Sequence, residues 1–192
     1  MTDERPGRGR PRAFDREAVA STAIRLFAEH GYEAVSMDDV AAAAGVSRRS
    51  LFRHFASKAE LVWDGFAPVE RASAAALEAA ESTSPFNALR AATLAAVDAL
   101  PPLDATRERL RIIGARPELI AFGSGRLHTA SVAQVDYLTA RGVDALAARV
   151  LADGFTVAAF NAYLHWATAT TDASPTPTLE RAIAVLERLA EA

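Results

Sequence analysis

Apolar residues recur along most of the chain at the three- and four-residue spacing of amphipathic helices. In the first such stretch, Val19, Ala23 and Phe27 fall on one helical face. No run of useful length alternates between apolar and polar positions, as a half-buried strand would. The pattern therefore predicts an all-α fold.

Glycine and proline clusters separate the periodic stretches and set the expected ends of the helices. Pro68 predicts a kink or a split in the fourth helix, and Gly154 predicts a bend in the eighth. The pair of glycines in Gly123-Ser124-Gly125 predicts an interruption of the seventh helix, and we expect it to serve close packing. The predicted helices are 15–30, 37–44, 48–55, 57–81, 85–100, 104–113, 117–140, 143–171 and 177–190.

The second and third of these helices form the most informative stretch, residues 36–55. Ser36 stands at an N-cap position, with Asp39 three residues later as its capping-box partner. Gly45 ends the first short helix at a place where the backbone often needs a positive φ. Ser47 then caps a second, basic helix. A helix, a glycine turn and a basic helix indicate a helix-turn-helix.

The basic helix has two distinct sides on a helical wheel. Leu51 and Phe55 fall together and are predicted to face the core. Arg49, Ser50 and Arg53 fall roughly opposite, and arginine can bind guanine edges or phosphate. A solvated basic face is the alternative interpretation, but it leaves the glycine turn and the two caps unexplained.

Charge is distributed unevenly along the chain. The formal net charge is −3, yet residues 1–58 hold ten Lys/Arg against eight Asp/Glu. Within Gly45–Lys58 there are four cations and no acid, which is the local balance that phosphate binding needs. Residues 1–12 are rich in Arg, Gly and Pro, so we expect a disordered basic arm that contacts DNA, chiefly through Arg10 and Arg12, or merely a solubilising terminus.

Several functional classes are disfavoured. The chain has no cysteine, no metal-spaced histidine pair and no convincing Ser/His/Asp set, so we expect neither a catalytic nor a metal site. Ser124 and His128 are four residues apart, but chance explains this pair more readily than nucleophile and base do. No apolar run approaches the ~18 residues of a membrane span, and the N-terminus lacks a signal peptide's apolar segment. We therefore expect a cytoplasmic protein.

The stretch LFAEHGYEAVSMDDVAAAAGVSRRSLFRHFASKAELV, residues 26–62, resembles the DNA-binding domain of the TetR family of bacterial transcriptional regulators. The resemblance implies a three-helix helix-turn-helix head (residues 13–57) and a six-helix ligand-binding and dimerisation bundle (residues 58–192). It implies DNA contacts by Arg48, Arg49, Ser50, Phe52, Arg53, His54 and Lys58, to which we add Ser36 and Met37. Many members have tyrosine at position 52, and phenylalanine lacks the hydroxyl that binds phosphate.

A weaker resemblance extends over much of the chain. Residues 47–53 followed by Val62-Trp63, and the later stretches 107–121 and 163–166, are similar to the subgroup that regulates mycofactocin-associated genes in actinobacteria. Such regulators respond to long-chain acyl-CoA, so the resemblance implies an acyl-type effector. No cofactor is expected.

Large aromatic residues among the alanines of the bundle favour a cavity between helices. The alternative interpretation, that these rings simply fill the core, is the stronger one for any single residue, and the family resemblance favours a cavity for the set. The predicted ligand-binding residues are Trp63, Phe66, Arg111, Arg116, Phe122, His128, Phe155, Asn161 and Tyr163.

The family's last two helices form its dimer interface, and a dimer reads an inverted-repeat operator. The predicted interface residues are Tyr163, Trp166, Leu179, Ile183 and Leu186, with an intramolecular core as the alternative. The sequence thus predicts a homodimeric repressor released by a small apolar or acyl-type ligand. The alternatives are a ligand-responsive activator and a small-molecule-binding helical protein without a sequence-specific DNA role.

Overall fold

The computed structural model describes residues 14–80, 84–169 and 174–191, and all regular structure within these ranges is helical. Two 3₁₀ turns, Asp64–Phe66 and Ala96–Ala99, interrupt the helical series. The α-helices are α1 (Arg16–His30), α2 (Met37–Ala43), α3 (Arg48–His54), α4 (Lys58–Trp63), α5 (Ala67–Glu78), α6 (Pro85–Ala95), α7 (Leu103–Gly114), α8 (Pro117–Ala130), α9 (Val132–Thr139), α10 (Ala145–Thr168) and α11 (Thr176–Glu191). The predicted all-α fold is confirmed. The arm containing Arg12 lies outside the described residues.

The predicted fourth helix is divided into α4 and α5. The helix ends at Trp63, passes through the 3₁₀ turn Asp64–Phe66, and resumes at Ala67. Pro68 therefore lies in the first turn of a new helix, where its missing N–H costs no hydrogen bond. The break comes just before the proline, and we call this turn the α4–α5 break.

The predicted interruption at Gly123-Ser124-Gly125 is wrong. Helix α8 continues through these residues, and the chain breaks at Ser131 instead. Gly123 is buried against Trp63, and a Cβ at this position would overlap the indole ring. The close contact explains this glycine as a packing device, whereas nothing lies near Gly125.

Helix α10 lies at the centre of the bundle and packs against α6, α7, α8, α9 and α11. One hydrophobic cluster joins α1–α4 to α7 and α10, through buried residues such as Phe27, Leu61, Ile113 and Trp166. A second cluster fills the far end, around Leu77, Leu89 and Phe155. Because the first cluster is continuous, a displacement in the body has a packed route to the head.

The structure places four of the five predicted interface residues inside the chain's own core. Tyr163, Trp166, Leu179 and Ile183 are each 6% exposed or less, and Leu186 is half-buried. The four buried side chains pack within the chain, which leaves them little surface for a second copy. The exposed apolar side chains of the last two helices are instead Leu146, Val150, Val157 and Val185.

Among the described helices, α10 alone has the length and composition to cross a membrane, with a mean hydropathy of 1.2 over its most apolar window. This helix is not an uninterrupted apolar run of the kind that the sequence lacks, because the measure tolerates charged residues within the window. The finding is weak, because the central helix of a bundle passes the same test. Helix α10 also carries Arg149 and Asp153, which bond to each other and to Ser131 at the start of α9.

Candidate nucleic-acid interface and effector cavity

Helices α2 and α3 are joined by a tight turn whose geometry comes from local residues. The Ser36 side chain accepts from the Asp39 N–H at 3.2 Å, and the Asp39 carboxylate accepts from the Ser36 N–H at 2.8 Å. The hydrogen bonds from Ser36 hold the pKa of Asp39 below its ordinary value. Gly45 has a φ of 66°, as predicted, and the Val46 N–H donates to the Ala41 carbonyl. These contacts fix the angle at which α3 leaves α2.

Helix α3 presents a buried side and a basic side. Leu51 and Phe55 are fully buried, as the helical wheel predicts. Arg49 and Arg53 are exposed, and neither forms an ion pair with any described residue. Ser50 is half-buried, with its N–H bonded to the Ser47 side chain. The basic side therefore carries two charges that no neighbouring carboxylate neutralises.

Two further residues of α3 have contacts within the head. Arg48 is exposed but lies 3.1 Å from the Asp38 carboxylate, and its guanidinium stands 5.5 Å from the centre of the Phe52 ring. Phe52 itself is 42% exposed, which is unusual for a large apolar side chain unless it contacts a partner. The Arg48 charge is thus shared between Asp38 and solvent.

Three other predicted DNA contacts support the head's own structure. The His54 ring stacks on Phe14 with centroids 3.9 Å apart. The Lys58 ammonium donates to the carbonyls of Tyr32 at 2.6 Å and Val35 at 3.1 Å. Met37 is half-buried against the head core. Lys58 therefore ties the loop between α1 and α2 to the start of α4.

The body contains a cavity, partly open to solvent, between the α4–α5 break and α5, α6, α8, α9 and α10. We call it the body cavity. Its aromatic lining residues are Trp63, Phe66, Phe155, Phe160 and Tyr163. Its polar lining residues are Glu70, Ser73, Thr93, Arg126, Gln134 and Thr156. A cavity lined mainly by aromatic rings, with a few polar groups, suits a small organic ligand.

Four of the nine predicted ligand-binding residues line this cavity, namely Trp63, Phe66, Phe155 and Tyr163. The other five do not. Phe122 and His128 are exposed on α8, and Asn161 lies in a groove between α10 and α11 on another face. The two arginines are held elsewhere by backbone carbonyls, Arg111 by Ala167 and Arg116 by Ile112.

The sequence interpretation missed the polar residues that do line the cavity. Gln134 is 8% exposed, and its side-chain oxygen has no hydrogen-bond partner among the described residues. The Thr156 hydroxyl is also buried without such a partner. Gln134 lies in one helical stripe with Ser131 and Leu138, both fully buried, so a polar residue within an apolar stripe was the available signal.

The rim of the cavity carries one charge of each sign. Burial raises the pKa of Glu70, and the nearby Arg126 opposes that shift. Arg126 also reaches the Trp63 carbonyl at 3.5 Å. The described lining therefore holds no cluster of cations.

The α4–α5 break connects the body cavity to the basic helix. The Trp63 ring nitrogen donates to the Leu119 carbonyl at 3.0 Å, which fixes the indole in the cavity wall. Within the break, the Asp64 carboxylate accepts from Arg16 at 2.6 Å. The same arginine donates to the His54 carbonyl, at the last residue of α3, at 2.7 Å. Two side chains thus link the cavity wall to the end of α3.

A buried arginine, Arg109, packs against the backbone at the α4–α5 break. Arg109 is 4% exposed, donates to the Val62 carbonyl at 3.0 Å, and packs directly on Gly65. Burial lowers the pKa of Arg109 to about 10, while Asp64 and Glu17 oppose the shift. The side chain therefore remains charged at neutral pH, and a side chain at position 65 would overlap it.

Residues 20–63 match the sequence model of the family described as bacterial regulatory proteins, tetR family. The matched region runs from α1 to Trp63. It therefore contains the complete helix-turn-helix and ends at a residue of the cavity wall.

Two curated relatives are similar in sequence. MftR of Mycobacterium tuberculosis, named as a mycofactocin biosynthesis transcriptional regulator, is 39% identical over 59% of this chain and 59% of its own length. The transcriptional repressor ComR of Escherichia coli is 45% identical over 27% of this chain and 24% of its own length. Both matches span less than two thirds of the relative. Both relatives are named as regulators, in agreement with the expectation of a non-enzymatic protein.

The fold is also similar to solved structures. FadR of Thermus thermophilus, described as a TetR-family transcriptional repressor in complex with lauroyl-CoA, aligns with a TM-score of 0.57 at 18% identity, over 90% of this chain and 93% of FadR. At this identity the likeness establishes the common architecture of head and bundle.

Proposed function

We propose that the chain is a DNA-binding repressor of the TetR family of bacterial transcriptional regulators, released by a small apolar ligand. The observation that carries the proposal is the pair of exposed arginines, Arg49 and Arg53, on the outer side of α3. The second helix of a helix-turn-helix lies in the major groove, where arginine binds the O6 and N7 atoms of guanine. Reading chromosomal DNA places the protein in the cytoplasm.

The operator is an inverted repeat read by a homodimer. Each head reaches only one short half-site, and a two-fold dimer presents two heads to adjacent major grooves. The exposed apolar face of α10, with its neighbour α11, supplies a surface for this dimer.

Release follows from differential binding. A ligand weakens DNA binding only by as much as it prefers the conformer that does not fit the operator. Trp63 lines the body cavity and immediately precedes the α4–α5 break. A ligand that displaces this ring therefore alters the direction of α4, and with it the spacing of the two heads.

The similarity to MftR suggests genes of the mycofactocin system as targets, and FadR shows that a protein of this architecture holds lauroyl-CoA. Titrating acyl-CoA into a complex of protein and operator tests the acyl-type effector. Unchanged DNA affinity at saturating acyl-CoA would exclude that ligand. A reporter gene under the operator separates repression from activation, because deleting an activator lowers expression.

The DNA-binding proposal is tested with fragments selected from the source genome by the wild-type protein. Replacing Arg49 and Arg53 together by alanine should weaken binding of the selected fragment by about 1–3 kcal/mol per arginine. Fluorescence anisotropy measures the affinity, and sedimentation checks that assembly is unchanged.

Arg90→Ala is the matched control, because Arg90 is exposed on α6 in the body. It should leave fragment binding unchanged. If the double variant binds the fragment as well as wild type does, α3 does not read the DNA. Equal binding of unrelated fragments, with steep salt dependence, would indicate a sequence-independent DNA-binding protein instead.

A further inference from the structure

We propose that the body cavity selects an uncharged, ring-containing ligand with one hydrogen-bonding group, which bonds to Gln134 or to Thr156. The inference rests on the proposed function only in taking this cavity as the effector site. It adds the chemical class of the ligand and the residues that distinguish it from other apolar molecules.

The first step is the shape of the apolar lining. Trp63 stands at the centre of an aromatic group, with ring centroids 5.6 Å from Phe66 and 5.3 Å from Phe160, both tilted. Aromatic rings attract further rings in offset or edge-on arrangements. A ligand ring can extend this group, whereas a flexible chain gains only the burial of its surface.

The second step is the pair of buried polar atoms without partners. A buried oxygen that lacks a hydrogen bond costs about 1–3 kcal/mol. The Gln134 oxygen and the Thr156 hydroxyl are both in this state, and both residues line the cavity. Thr93 also lines the cavity, but its hydroxyl is bonded to the Leu89 carbonyl. A ligand group that donates to Gln134, or exchanges a hydrogen bond with Thr156, removes this cost.

The third step concerns charge. Arg126 is the one cation in the described lining, and Glu70 stands near enough to interact with it. An anion placed deep in the cavity would lose its hydration without gaining a dedicated partner, at a cost of several kcal/mol. Arg111 and Arg116, which sequence suggested as anion partners, lie outside the cavity. Neutral groups such as a hydroxyl, a ketone, an amide or a thioester meet the requirement.

Three naphthalene derivatives test the proposal by isothermal titration of the full chain. At pH 7, 2-naphthol is uncharged with a hydroxyl, naphthalene has no polar group, and 2-naphthoate is an anion of the same ring size. We expect 2-naphthol to bind about 3- to 10-fold more tightly than naphthalene, as one added hydrogen bond allows. We expect 2-naphthoate to bind most weakly. Equal or tighter binding of 2-naphthoate would overturn the proposal.

The residue assignment is tested with Thr156→Val, which replaces only the hydroxyl. The variant should reduce the preference for 2-naphthol over naphthalene about 3- to 10-fold and leave naphthalene binding unchanged. Gln134→Leu should act in the same direction. Thr168→Val is the control, because Thr168 is exposed on the same helix and should leave the preference as in wild type.

A purely structural threonine gives a different result. Removing an unpartnered buried hydroxyl would then raise the melting temperature and leave the ratio of the two affinities unchanged, which would overturn the assignment. Operator affinity is measured separately with each probe. Selective 2-naphthol binding without any change in operator affinity would support the cavity chemistry and contradict the release mechanism, so the two proposals fail independently.

Discussion

Gly123 on α8 packs directly against the indole of Trp63, the last residue before the α4–α5 break. Trp63 donates to the Leu119 carbonyl, one helical turn before Gly123 on α8. The indole can pack against α8 at this point because position 123 has no side chain. One hydrogen bond orients the ring in the cavity wall, and the absence of a side chain at position 123 leaves room for it.

Gly123→Ala should destabilise the protein although alanine favours helix. The added Cβ overlaps the indole, so the ring or the helix must move, at a cost of about 1–3 kcal/mol. Gly125→Ala is the control in the same helix, where nothing lies within contact distance of a Cβ. It should stabilise by about 1 kcal/mol. Thermal unfolding followed by circular dichroism measures both, and a lower melting temperature for Gly125→Ala than for Gly123→Ala would contradict the packing argument.

Sequence patterns predict a residue's side of a helix better than they predict its partner. The wheel placed Leu51 and Phe55 in the core, and the turn needed a positive φ at Gly45, because both follow from local geometry. The engagement of Lys58 with the carbonyls of Tyr32 and Val35 depends on residues 23 or more positions away. No local pattern reports such a contact.

The cavity shows the same limit. The aromatic residues Trp63 and Phe155 could be selected from composition alone, but the polar residues selected beside them, such as Arg111, Arg116 and Asn161, lie outside the cavity. Arg111 and Arg116 were conspicuous and proved to be bound to backbone carbonyls. Gln134 was inconspicuous and faces the cavity, because which stripe of α9 lines it depends on the packing of α5 and α10.

At the level of elements, the α4–α5 break is the junction at which contacts from the head and from the body meet. The pattern predicted that Pro68 kinks or splits one helix, and the structure splits it shortly before the proline, at Asp64–Phe66. Side-chain hydrogen bonds support the break and the residues just before it. Trp63 donates to the Leu119 carbonyl, Arg109 donates to the Val62 carbonyl, and Arg16 donates to the Asp64 carboxylate. Of these, the Arg16 contact also reaches the end of α3.

Asp64→Asn should loosen the junction of α3 and α4. Asp64 is 14% exposed at its side chain and orients the Arg16 guanidinium, so losing its charge frees Arg16 from the His54 carbonyl. We expect faster amide hydrogen exchange in residues 54–58, with a loss of stability of about 1 kcal/mol or less, as for a partly exposed ion pair.

Asp98→Asn serves as the control, because Asp98 is exposed in the other 3₁₀ turn, Ala96–Ala99. It should leave exchange at residues 54–58 unchanged. If amide exchange in the Asp64 variant equals that of the wild type, Arg16 keeps its position without Asp64. The Asp64 carboxylate would then not link the break to α3.

For the whole molecule, the exposed apolar residues of α10 are better candidates for a dimer interface than its buried residues. Leu146, Val150 and Val157 are exposed by 72%, 61% and 46%, and their spacing places them on one helical face. The sequence expectation chose five apolar residues of the last two helices, and the monomer buries four of them, Tyr163, Trp166, Leu179 and Ile183. An interface needs apolar residues left over after the chain has packed, and this remainder is known only from the structure.

Val150→Glu should therefore convert a dimer into a monomer. Two copies meeting on this face would bury the glutamate on both sides of the two-fold axis, without partners and with like charges opposed. Sedimentation velocity at micromolar concentration measures the state, and Val132→Glu on α9 is the control, because Val132 is 43% exposed on a different helix. The monomer should also lose affinity for an inverted repeat far more than for a single half-site, since only the linked heads gain from two adjacent sites. A dimeric Val150→Glu protein would move the interface to another face and would leave the exposed valines and leucine of α10 without a partner.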